Sequence, residues 1–244
     1  MHLSRPLTQR VSSVICNPPT LTDGDAEQLA QAPDKDTKKL FKNLEFSGKG
    51  GFGRVFGGKD IATRHRVAIK KLPHVTDKDK RNNYSEIAFL MTCEHANVVK
   101  FLSAYEVKEE VWIVMEFLEG GTLNEAVKVH QFSEKHIAYV AREMLKGLKY
   151  LHEQGFVHRD LKSANVMMSI DGDIKLIDFG LCADVSEGTR VQMLGSPFWM
   201  PPEMIHRKPH GCPVSGMDHT NARDSPSSSS PSNRRTYGAL QCVY

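Results

Sequence analysis

The sequence lacks the features that mark a disulfide-rich, zinc-bound or membrane-spanning protein. Its five cysteines are odd in number, lie far apart and form no CxxC pair, which indicates reduced thiols and not a disulfide framework. The eleven histidines show no spacing typical of metal ligands. No apolar run is long enough to cross a bilayer, since Val111 to Leu118 has only the length of a strand and is interrupted by Glu116. We therefore expect no membrane span and a reducing, cytoplasmic location.

A large excess of one charge is also missing. The chain has 32 Lys and Arg residues against 29 Asp and Glu residues, and its basic residues are spread along its length. The net charge of +3 gives no reason to expect binding to nucleic acid. What is present is an ordinary globular composition, with 40% hydrophobic residues in a chain of 244, which is long enough for one or two domains.

Three regions differ in composition. Residues 1–40 are polar, contain four prolines and show no sustained period, which predicts a disordered leader. Because this region also has Arg and Ser and no acidic residue before Asp23, a transit peptide is the alternative. Residues 41–214 are dense in apolar periodicity and are expected to form the folded domain. Residues 215–244 include a run of Ser and Pro at 225–232, which predicts a low-complexity tail.

Within the middle region the strand-like patterns come before the helical ones. A helix is predicted from Thr76 to about Cys93, because Thr76 and Asp79 have the spacing of a capping box. A longer helix is predicted from about Ser133 to His152, with apolar residues at helical spacing. Strands are predicted near 41–48, 53–59, 65–72, 98–106, 111–117 and 174–177. This order indicates an α+β protein, with an antiparallel sheet and one helix followed by a helical part.

A glycine-rich run lies between the first two predicted strands. It comprises Gly48, Gly50, Gly51 and Gly53, followed by Val55. Glycines let a backbone approach phosphate groups closely and point its N–H groups at them. A plain turn and a dinucleotide-binding loop are the alternatives, but the dinucleotide loop requires a strand that opens a helix. Two flanking strands favour a hairpin that clamps a nucleotide.

Lys70 lies on the third predicted strand, after Val67, Ala68 and Ile69. A lysine flanked by small and apolar residues points its ammonium into a dry cleft, where it can hold phosphates. Glu86 lies on the first predicted helix and is placed to pair with Lys70, although an exposed glutamate is the alternative for Glu86 taken alone. Lys71 points to the opposite side of the strand and is expected to be solvated.

Two further motifs bring acids and an amide. His158-Arg159-Asp160-Leu161-Lys162-Ser163-Ala164-Asn165 follows the long helix, and Asp178-Phe179-Gly180 follows an apolar strand. Asp160, Asn165 and Asp178 supply a base and two metal ligands, which is what phosphoryl transfer with Mg²⁺ requires. His158-Arg159-Asp160 or Asp178-Phe179-Gly180 alone could occur by chance in a loop. Together with the glycine-rich run and the Lys70 strand, in this order, they indicate one reaction.

Together these motifs resemble the signature set of the protein kinases, over residues 41–214. Lys162, two residues after Asp160, and the run Gly195-Ser196-Pro197-Phe198-Trp199-Met200 before Glu203 are similar to the serine/threonine branch. The runs Val114–Leu123, Lys162-Ser163 and Phe179–Ala183 are most similar to PAK-type kinases of the sterile-twenty group. The resemblance implies a bilobal protein-kinase-like fold, with a sheet-based small lobe at 41–118 and a helical large lobe at 119–214.

The resemblance also implies a role for individual residues. The substrates would be ATP with Mg²⁺ and a protein with a Ser or Thr acceptor. Asp160 would orient or deprotonate the acceptor hydroxyl, Lys162 would stabilise the transferring phosphoryl group, and Asn165 and Asp178 would hold Mg²⁺. Lys70, positioned by Glu86, would hold the ATP phosphates together with Gly48, Gly50, Gly51 and Gly53. Adenine would be bound by Val55, Ala68, Met167, the backbone of Glu116 and Leu118, and Met115 at the back of the pocket.

Ser196 would contact Asp160. The sequence also departs from the family pattern in three places. The phosphorylated threonine of PAK-type kinases corresponds to Gln192, which leaves Arg159 without a phosphate partner; Ser186 and Thr189 are nearby but out of register. Pro201 replaces an alanine, and the leader has no recognisable GTPase-binding segment.

After Val214 the sequence does not continue with the Asp-x-Trp helix of the family. We therefore expect an incomplete large lobe, an exposed apolar face on the 133–152 helix, and a buried Glu203 without the arginine that would pair with it. An unpaired buried charge costs about 3–5 kcal/mol, so activity of this chain is doubtful. A catalytically impaired nucleotide-binding or interaction module is the alternative, and an alternative splice junction after Val214 is a further one.

Overall fold

The computed structural model describes residues 37–50, 53–186 and 188–211. The expectations for the leader, apart from residues 37–40, and for residues 215–244 therefore lie outside the described residues. The chain divides between Gly120 and Gly121 into two compact units. The sequence order predicted an antiparallel sheet first and helices later, and this α+β organisation is confirmed.

The first unit is built on a five-stranded antiparallel sheet. Its strand order is β1-β2-β3-β5-β4. A single turn of 3-10 helix at Thr37–Lys39 precedes it. The elements are β1 (Phe41–Lys49), β2 (Arg54–Asp60), β3 (Arg66–Pro73), α1 (Asp77–Thr92), β4 (Phe101–Val107) and β5 (Glu110–Glu116).

All five strands predicted for this unit are present, and four of them begin within one residue of the predicted positions. The exception is β4, which was predicted to begin at 98 and begins at Phe101. Val98 is instead held in a turn, because its N–H donates to the carbonyl of His95. Ladder pairing with β5 starts only where Phe101 lies opposite Met115.

Helix α1 forms where the capping box predicted it. The Thr76 side chain accepts from the N–H of Asp79, and the Asp79 carboxylate accepts from the N–H of Thr76. These two bonds satisfy backbone donors that a helix start otherwise leaves without partners. The helix turns Ile87 and Leu90 inward, where both side chains are buried.

The two faces of the sheet have different uses. One face carries the hydrophobic core of the unit, which comprises Phe41, Val67, Ile69, Tyr105, Val107, Trp112 and Val114. The other face carries Lys70, which lies opposite Val55 on β2 and Ile113 on β5. Because side chains alternate along a strand, Lys71 points away from the Lys70 face, as predicted, and the face it joins is the core face.

The expectation that Lys71 is solvated is wrong. Its Nζ lies 3.7 Å from the centre of the Trp112 ring and 4.4 Å from that of Phe56. Burial between these rings lowers the pKa of Lys71 from its ordinary value, partly offset by the nearby Glu110 carboxylate. The long aliphatic part of a lysine covers apolar surface in this way while its charge faces the aromatic rings.

The second unit contains helices, short strands and two further turns of 3-10 helix. The longest element is α3, which contacts β6 and β8. Strand β6 pairs with β9, and β7 pairs with β8. The elements are α2 (Leu123–Val129), α3 (Glu134–Glu153), β6 (Phe156–Val157), β7 (Val166–Met168), β8 (Ile174–Leu176), β9 (Ala183–Asp184) and α4 (Pro202–Ile205), with 3-10 turns at Ser163–Asn165 and Pro197–Trp199.

Helix α3 agrees with its predicted bounds, and the expectation of an exposed apolar face holds only in part: Tyr139 and Leu145 are exposed, but other apolar side chains of the helix are buried. The Ser133 side chain caps its start, and Gly155 follows its end with a positive φ of 77°. Val140, Met144 and Leu151 are all buried. Burying a large aliphatic side chain contributes about 1.5–3 kcal/mol, so this face stabilises the unit.

The expectation of a buried Glu203 is also wrong. Glu203 lies at the start of α4 and is exposed. An exposed carboxylate keeps its hydration, so the penalty of an unpaired buried charge does not apply to it. No helix in the described ranges is both long and apolar enough to span a bilayer.

Candidate active site

The described glycines of the run lie at the end of β1 and before β2, with Gly48 on β1. The N–H of Gly50 donates to the carbonyl of Gly53 over 2.9 Å. A Cβ on Gly53 would lie 2.3 Å from the carbonyl oxygen of Lys71, so packing alone requires glycine there. At Gly48 a Cβ would meet nothing within 4 Å, and at Gly50 only the Gly53 oxygen, at 3.8 Å. These two positions therefore leave open space beside the backbone, which suits the approach of a phosphate. Gly51 lies outside the described residues.

The predicted ion pair between Lys70 and Glu86 is present. Lys70 Nζ lies 2.6 Å from Glu86 Oε1, and the two side chains are only 6% and 4% exposed. The alternative of an exposed Glu86 is therefore wrong. A pair this deeply buried leaves an uncompensated charge if either partner is removed, so each side chain holds the other in place. The ammonium of Lys70 has three donors, which allows it to bind further oxygen atoms.

The remaining predicted nucleotide-binding residues of this unit lie on the sheet or just after the end of β5. Ala68 and its cross-strand partner Met115 share the Lys70 face of the sheet, as does Val55. At the end of β5 the N–H of Glu116 donates to the carbonyl of Lys100 over 3.0 Å, so a ligand at Glu116 would use the carbonyl oxygen. Leu118 follows the end of the strand and is buried.

In the second unit, His158 supports the loop that contains Asp160. Its Nε2 lies 3.0 Å from the carbonyl oxygen of Ile177, and its Nδ1 lies 3.3 Å from the N–H of Asp160. A carbonyl oxygen only accepts and an N–H only donates, which assigns the proton to Nε2 and leaves the imidazole neutral. Burial lowers the pKa of His158 from its ordinary value, in agreement with this assignment.

The carboxylate of Asp160 is held by three donors. Ser196 N donates to Oδ1 over 2.8 Å, while Lys162 Nζ and Asn165 Nδ2 donate to Oδ2 over 2.7 and 2.9 Å. Asp160 itself is 7% exposed. The structure thus brings together all three residues predicted as catalytic, Asp160, Lys162 and Asn165, and fixes the carboxylate in one orientation.

Asn165 and Asp178, the predicted Mg²⁺ ligands, are brought close by one backbone bond. The N–H of Ile177, the residue before Asp178, donates to the carbonyl of Asn165 over 3.0 Å. Asn165 Nδ2 donates to both the carbonyl and the carboxylate of Asp160, which leaves its Oδ1 as the atom suited to a metal. A carboxylate and an amide oxygen are ligands that Mg²⁺ accepts, so these residues fit the ion.

The backbone at the two acids has an uncommon conformation. Asp178 has a φ of 63°, and Arg159, beside Asp160, has a φ of 64°. Such values cost non-glycine residues about 1–3 kcal/mol and persist where the surroundings enforce them. Met167, predicted to lie below adenine, is half-buried on β7, opposite Lys175 and bridged to Thr122.

Two residues near Asp160 have contacts that the sequence did not reveal. Gly195 has a φ of 119°, and a Cβ there would lie 2.4 Å from the carbonyl oxygen of Arg159. Arg159 donates from Nη1 to Gln192 Oε1 over 3.2 Å and from Nε to the carbonyl of Leu181 over 2.7 Å. The amide of Gln192 thus accepts from the guanidinium that was expected to lack a phosphate partner.

Comparison with known proteins agrees with this geometry. The sequence profile described as protein kinase domain matches residues 41–215. The chain is 54% identical over 192 residues to a probable serine/threonine-protein kinase, mkcB, of Dictyostelium discoideum, an alignment that covers 78% of this chain and 27% of that protein.

Fungal kinases of the group named from the sequence motifs are similar as well. The chain is 40% identical over 178 residues to serine/threonine-protein kinase STE20 of Eremothecium gossypii, covering 72% of this chain and 18% of the relative. It is 40% identical over 182 residues to serine/threonine-protein kinase shk1/pak1 of Schizosaccharomyces pombe, covering 74% and 28%. The chain therefore spans less than a third of the length of the relatives it matches.

Proposed function

The chain belongs to the protein kinase family, and from that premise we propose that it transfers the γ-phosphoryl group of Mg·ATP to a Ser or Thr hydroxyl of a protein. The observation that carries the proposal is the Asp160 carboxylate, held by Lys162, Asn165 and the backbone of Ser196. A carboxylate fixed in one orientation beside a lysine suits an acceptor hydroxyl and a negatively charged group that transfers to it.

In the proposed reaction the acceptor oxygen attacks the γ-phosphorus. A bond forms between them, the bond from the γ-phosphorus to the oxygen that bridges to the β-phosphate breaks, and ADP leaves. The proton of the acceptor hydroxyl passes to Asp160. The ammonium of Lys162, which lies 2.7 Å from both Asp160 Oδ2 and Ser196 Oγ, stabilises negative charge on the transferring group.

The other predicted residues bind the nucleotide. Mg²⁺ at Asn165 Oδ1 and the Asp178 carboxylate would offset phosphate charge. Lys70, oriented by Glu86, would donate to phosphate oxygens, and the open space at Gly48 and Gly50 would admit them. The adenine edge would meet the carbonyl of Glu116 and the N–H of Leu118, with Val55, Ala68, Met115 and Met167 supplying apolar contacts.

Replacement of the carboxylate by an amide tests the proposal. Asp160→Asn removes the proton acceptor while retaining size and hydrogen bonding, and a general base contributes roughly 10²–10⁴-fold to a rate. We expect phosphorylation of a generic protein substrate from radiolabelled ATP by the purified 244-residue chain to be slow, and Asp160→Asn to lower its rate by roughly 10²–10⁴-fold.

A thermal melt provides the companion measurement. Mg·ATP is expected to raise the melting temperature of the parent and of Asp160→Asn, but to raise that of Lys70→Met less. Equal transfer by Asp160→Asn and the parent contradicts the proposed mechanism. Nucleotide stabilisation without any transfer identifies the alternative, a nucleotide-binding module.

A cytoplasmic location and a protein partner remain part of the proposal. The five cysteines, widely spaced and without a CxxC pair, support a reducing compartment. Fluorescence microscopy of a tagged chain tests the location, and an exclusively organellar signal contradicts it. The protein substrate is proposed by its acceptor group alone, a Ser or Thr hydroxyl.

A further inference from the structure

A cluster of buried polar side chains lies in the first unit, apart from the residues assigned to ATP. It comprises His74, Asn83, Tyr84 and Glu106, and we name it the α1 anchor. His74, Asn83 and Tyr84 are 6%, 8% and 5% exposed. Buried polar groups cost stability unless their hydrogen bonds are satisfied, so the pattern of bonds within this cluster shows what it holds.

The bonds of the α1 anchor have assigned directions. Asn83 Nδ2 donates to the carbonyl of Pro73 over 2.7 Å and lies 3.2 Å from His74 Nδ1. Since the amide nitrogen faces both atoms, His74 Nδ1 accepts and the imidazole proton lies on Nε2. That Nε2 is 3.0 Å from the Tyr84 hydroxyl and 3.2 Å from Glu106 Oε1, and the Tyr84 hydroxyl donates to the same Oε1.

Ionisation behaviour agrees with these bonds. Burial, and then the hydrogen bond to Glu106, raise the pKa of Tyr84 well above its ordinary value, so the hydroxyl remains a donor. Burial alone would raise the pKa of Glu106, but hydrogen bonds from His74 and Tyr84 outweigh it and lower this pKa. Glu106 is therefore a carboxylate that accepts from both side chains.

The α1 anchor connects three elements. His74 directly follows β3, Asn83 and Tyr84 lie in the first half of α1, and Glu106 lies on β4. Glu106 is opposite Val111 on β5, two residues from Ile113, which lies opposite Lys70. Because side chains alternate along a strand, Glu106 and Lys70 share one face of the sheet. The anchor and the Lys70–Glu86 pair thus tie the same helix to the same face.

Apolar packing does not hold the start of this helix. From Asp77 to Asn82 every side chain is exposed or half-exposed, and Asn83 and Tyr84 are the first buried ones. Glu86 follows Tyr84 by two residues. Its Oε1 lies 2.6 Å from Lys70 Nζ, and a helix displacement of an ångström or two would break this bond.

We propose that His74, Tyr84 and Glu106 are positioning residues that hold the first half of α1 against the sheet, so that Glu86 stays bonded to Lys70. This inference rests on the proposed function, because Lys70 matters to the reaction only if it binds the ATP phosphates. It adds three residues outside the family motifs to those on which that binding depends.

The sharpest variant is Tyr84→Phe, which keeps the ring against His74 and removes only the hydroxyl. The matched control is Tyr105→Phe. Tyr105 is also a buried tyrosine of this unit, with its hydroxyl bonded to Ser103, but it lies on the opposite face, edge-on to Phe41. Glu106→Gln, which retains an acceptor, and Glu106→Leu, which does not, form a second matched pair.

The experiment measures kcat/KM for ATP and amide hydrogen exchange of residues 77–92 in the full chain. One hydrogen bond is worth about 0.5–1.5 kcal/mol, so we expect Tyr84→Phe to lower kcat/KM roughly three- to tenfold and to speed exchange in α1. Tyr105→Phe should do neither. Glu106→Leu should resemble Tyr84→Phe, and Glu106→Gln should retain most of the activity.

A double-mutant cycle separates positioning from a general loss of stability. The α1 anchor is proposed to act by keeping Glu86 bonded to Lys70. In a Glu86→Gln background the charge of that pair is already lost, so Tyr84→Phe should cause no further loss of kcat/KM. An equal loss in both backgrounds overturns the inference, as does α1 exchange no faster than in Tyr105→Phe. Normal transfer by Tyr84→Phe overturns the inference alone. Absence of transfer in the parent chain overturns the proposed function and the inference together.

Discussion

The Lys70–Glu86 pair of the first unit and the Asp160 cluster of the second hold their charges in different ways. Lys70 is paired with Glu86, which lies on a helix whose first half carries few apolar anchors. Asp160 has three donors, and two of them lie within five residues of it. Charge placement in the first unit therefore depends on where a helix lies, whereas in the second it depends mostly on the conformation of one loop.

The largest expected effect breaks the first arrangement. Glu86→Ala removes the Glu86 carboxylate from the buried ammonium of Lys70, and removal of one partner of a buried pair costs about 3–5 kcal/mol. We expect urea unfolding of the first unit to show a loss of that size. Replacement of both partners, in Lys70→Met with Glu86→Leu, should restore most of the stability without restoring phosphoryl transfer.

Recovery of stability without recovery of transfer in the double variant distinguishes two effects. One is the cost to stability of removing a single partner of the ion pair, and the other is the need for the Lys70 ammonium in the reaction. If the double variant is as unstable as Glu86→Ala, the ion pair is not the source of the loss. If it transfers phosphate normally, Lys70 has no part in the reaction.

A second prediction tests how strictly the loop around Asp160 is positioned. Gly195→Ala would place a Cβ 2.4 Å from the carbonyl oxygen of Arg159 at a φ of 119°, which displaces Ser196 from Asp160. Backbone strain of about 1–3 kcal/mol corresponds to a fall of roughly five- to 150-fold in transfer rate.

Gly172→Ala is the matched control for that change. Gly172 also has a positive φ, 91°, but a Cβ there would meet nothing within 4 Å. We expect it to lower stability through strain and to leave the transfer rate near that of the parent. Similar rate losses in both variants would mean that the close approach at Gly195 is irrelevant to activity.

The smallest expected effect concerns the exposed hydrogen bond between Arg159 and Gln192. Gln192→Ala removes it, and we expect the transfer rate to fall roughly two- to fivefold, in line with 0.5–1 kcal/mol for such a contact. Gln192→Glu places a carboxylate at the same distance from the guanidinium and should preserve or raise the rate. Steady-state transfer assays of both variants provide the check. The control is Gln131→Ala, which changes an exposed glutamine of another loop. A lower rate in Gln192→Glu than in Gln192→Ala contradicts a role for the Arg159–Gln192 bond in activity.

Local patterns sufficed for much of the fold. The alternation of β3 and the capping box at Thr76 are properties of a few adjacent residues, and the structure contains both elements within a residue of their predicted bounds. The same type of signal was available for α2, where the Thr122 hydroxyl and the Glu125 carboxylate form a capping box that the sequence interpretation did not use. The motif spacing likewise predicted the contact between Lys70 and Glu86.

What could not be predicted depends on residues distant in sequence. Lys71 was expected to be solvated because its own neighbours do not reveal Phe56 and Trp112 on adjacent strands. The α1 anchor was missed for the same reason, since Glu106 lies 22 residues beyond Tyr84. Glu203 was expected to be buried by analogy with the family, and the structure leaves it exposed.

The contact between Arg159 and Gln192 has a consequence for control of the proposed enzyme. The guanidinium beside Asp160 is bonded to a side chain that no upstream kinase can modify and no phosphatase can reset. Phosphorylation at position 192 therefore cannot change this contact. A switch of activity that acts through Arg159 would have to use another residue, such as the nearby Ser186 or Thr189.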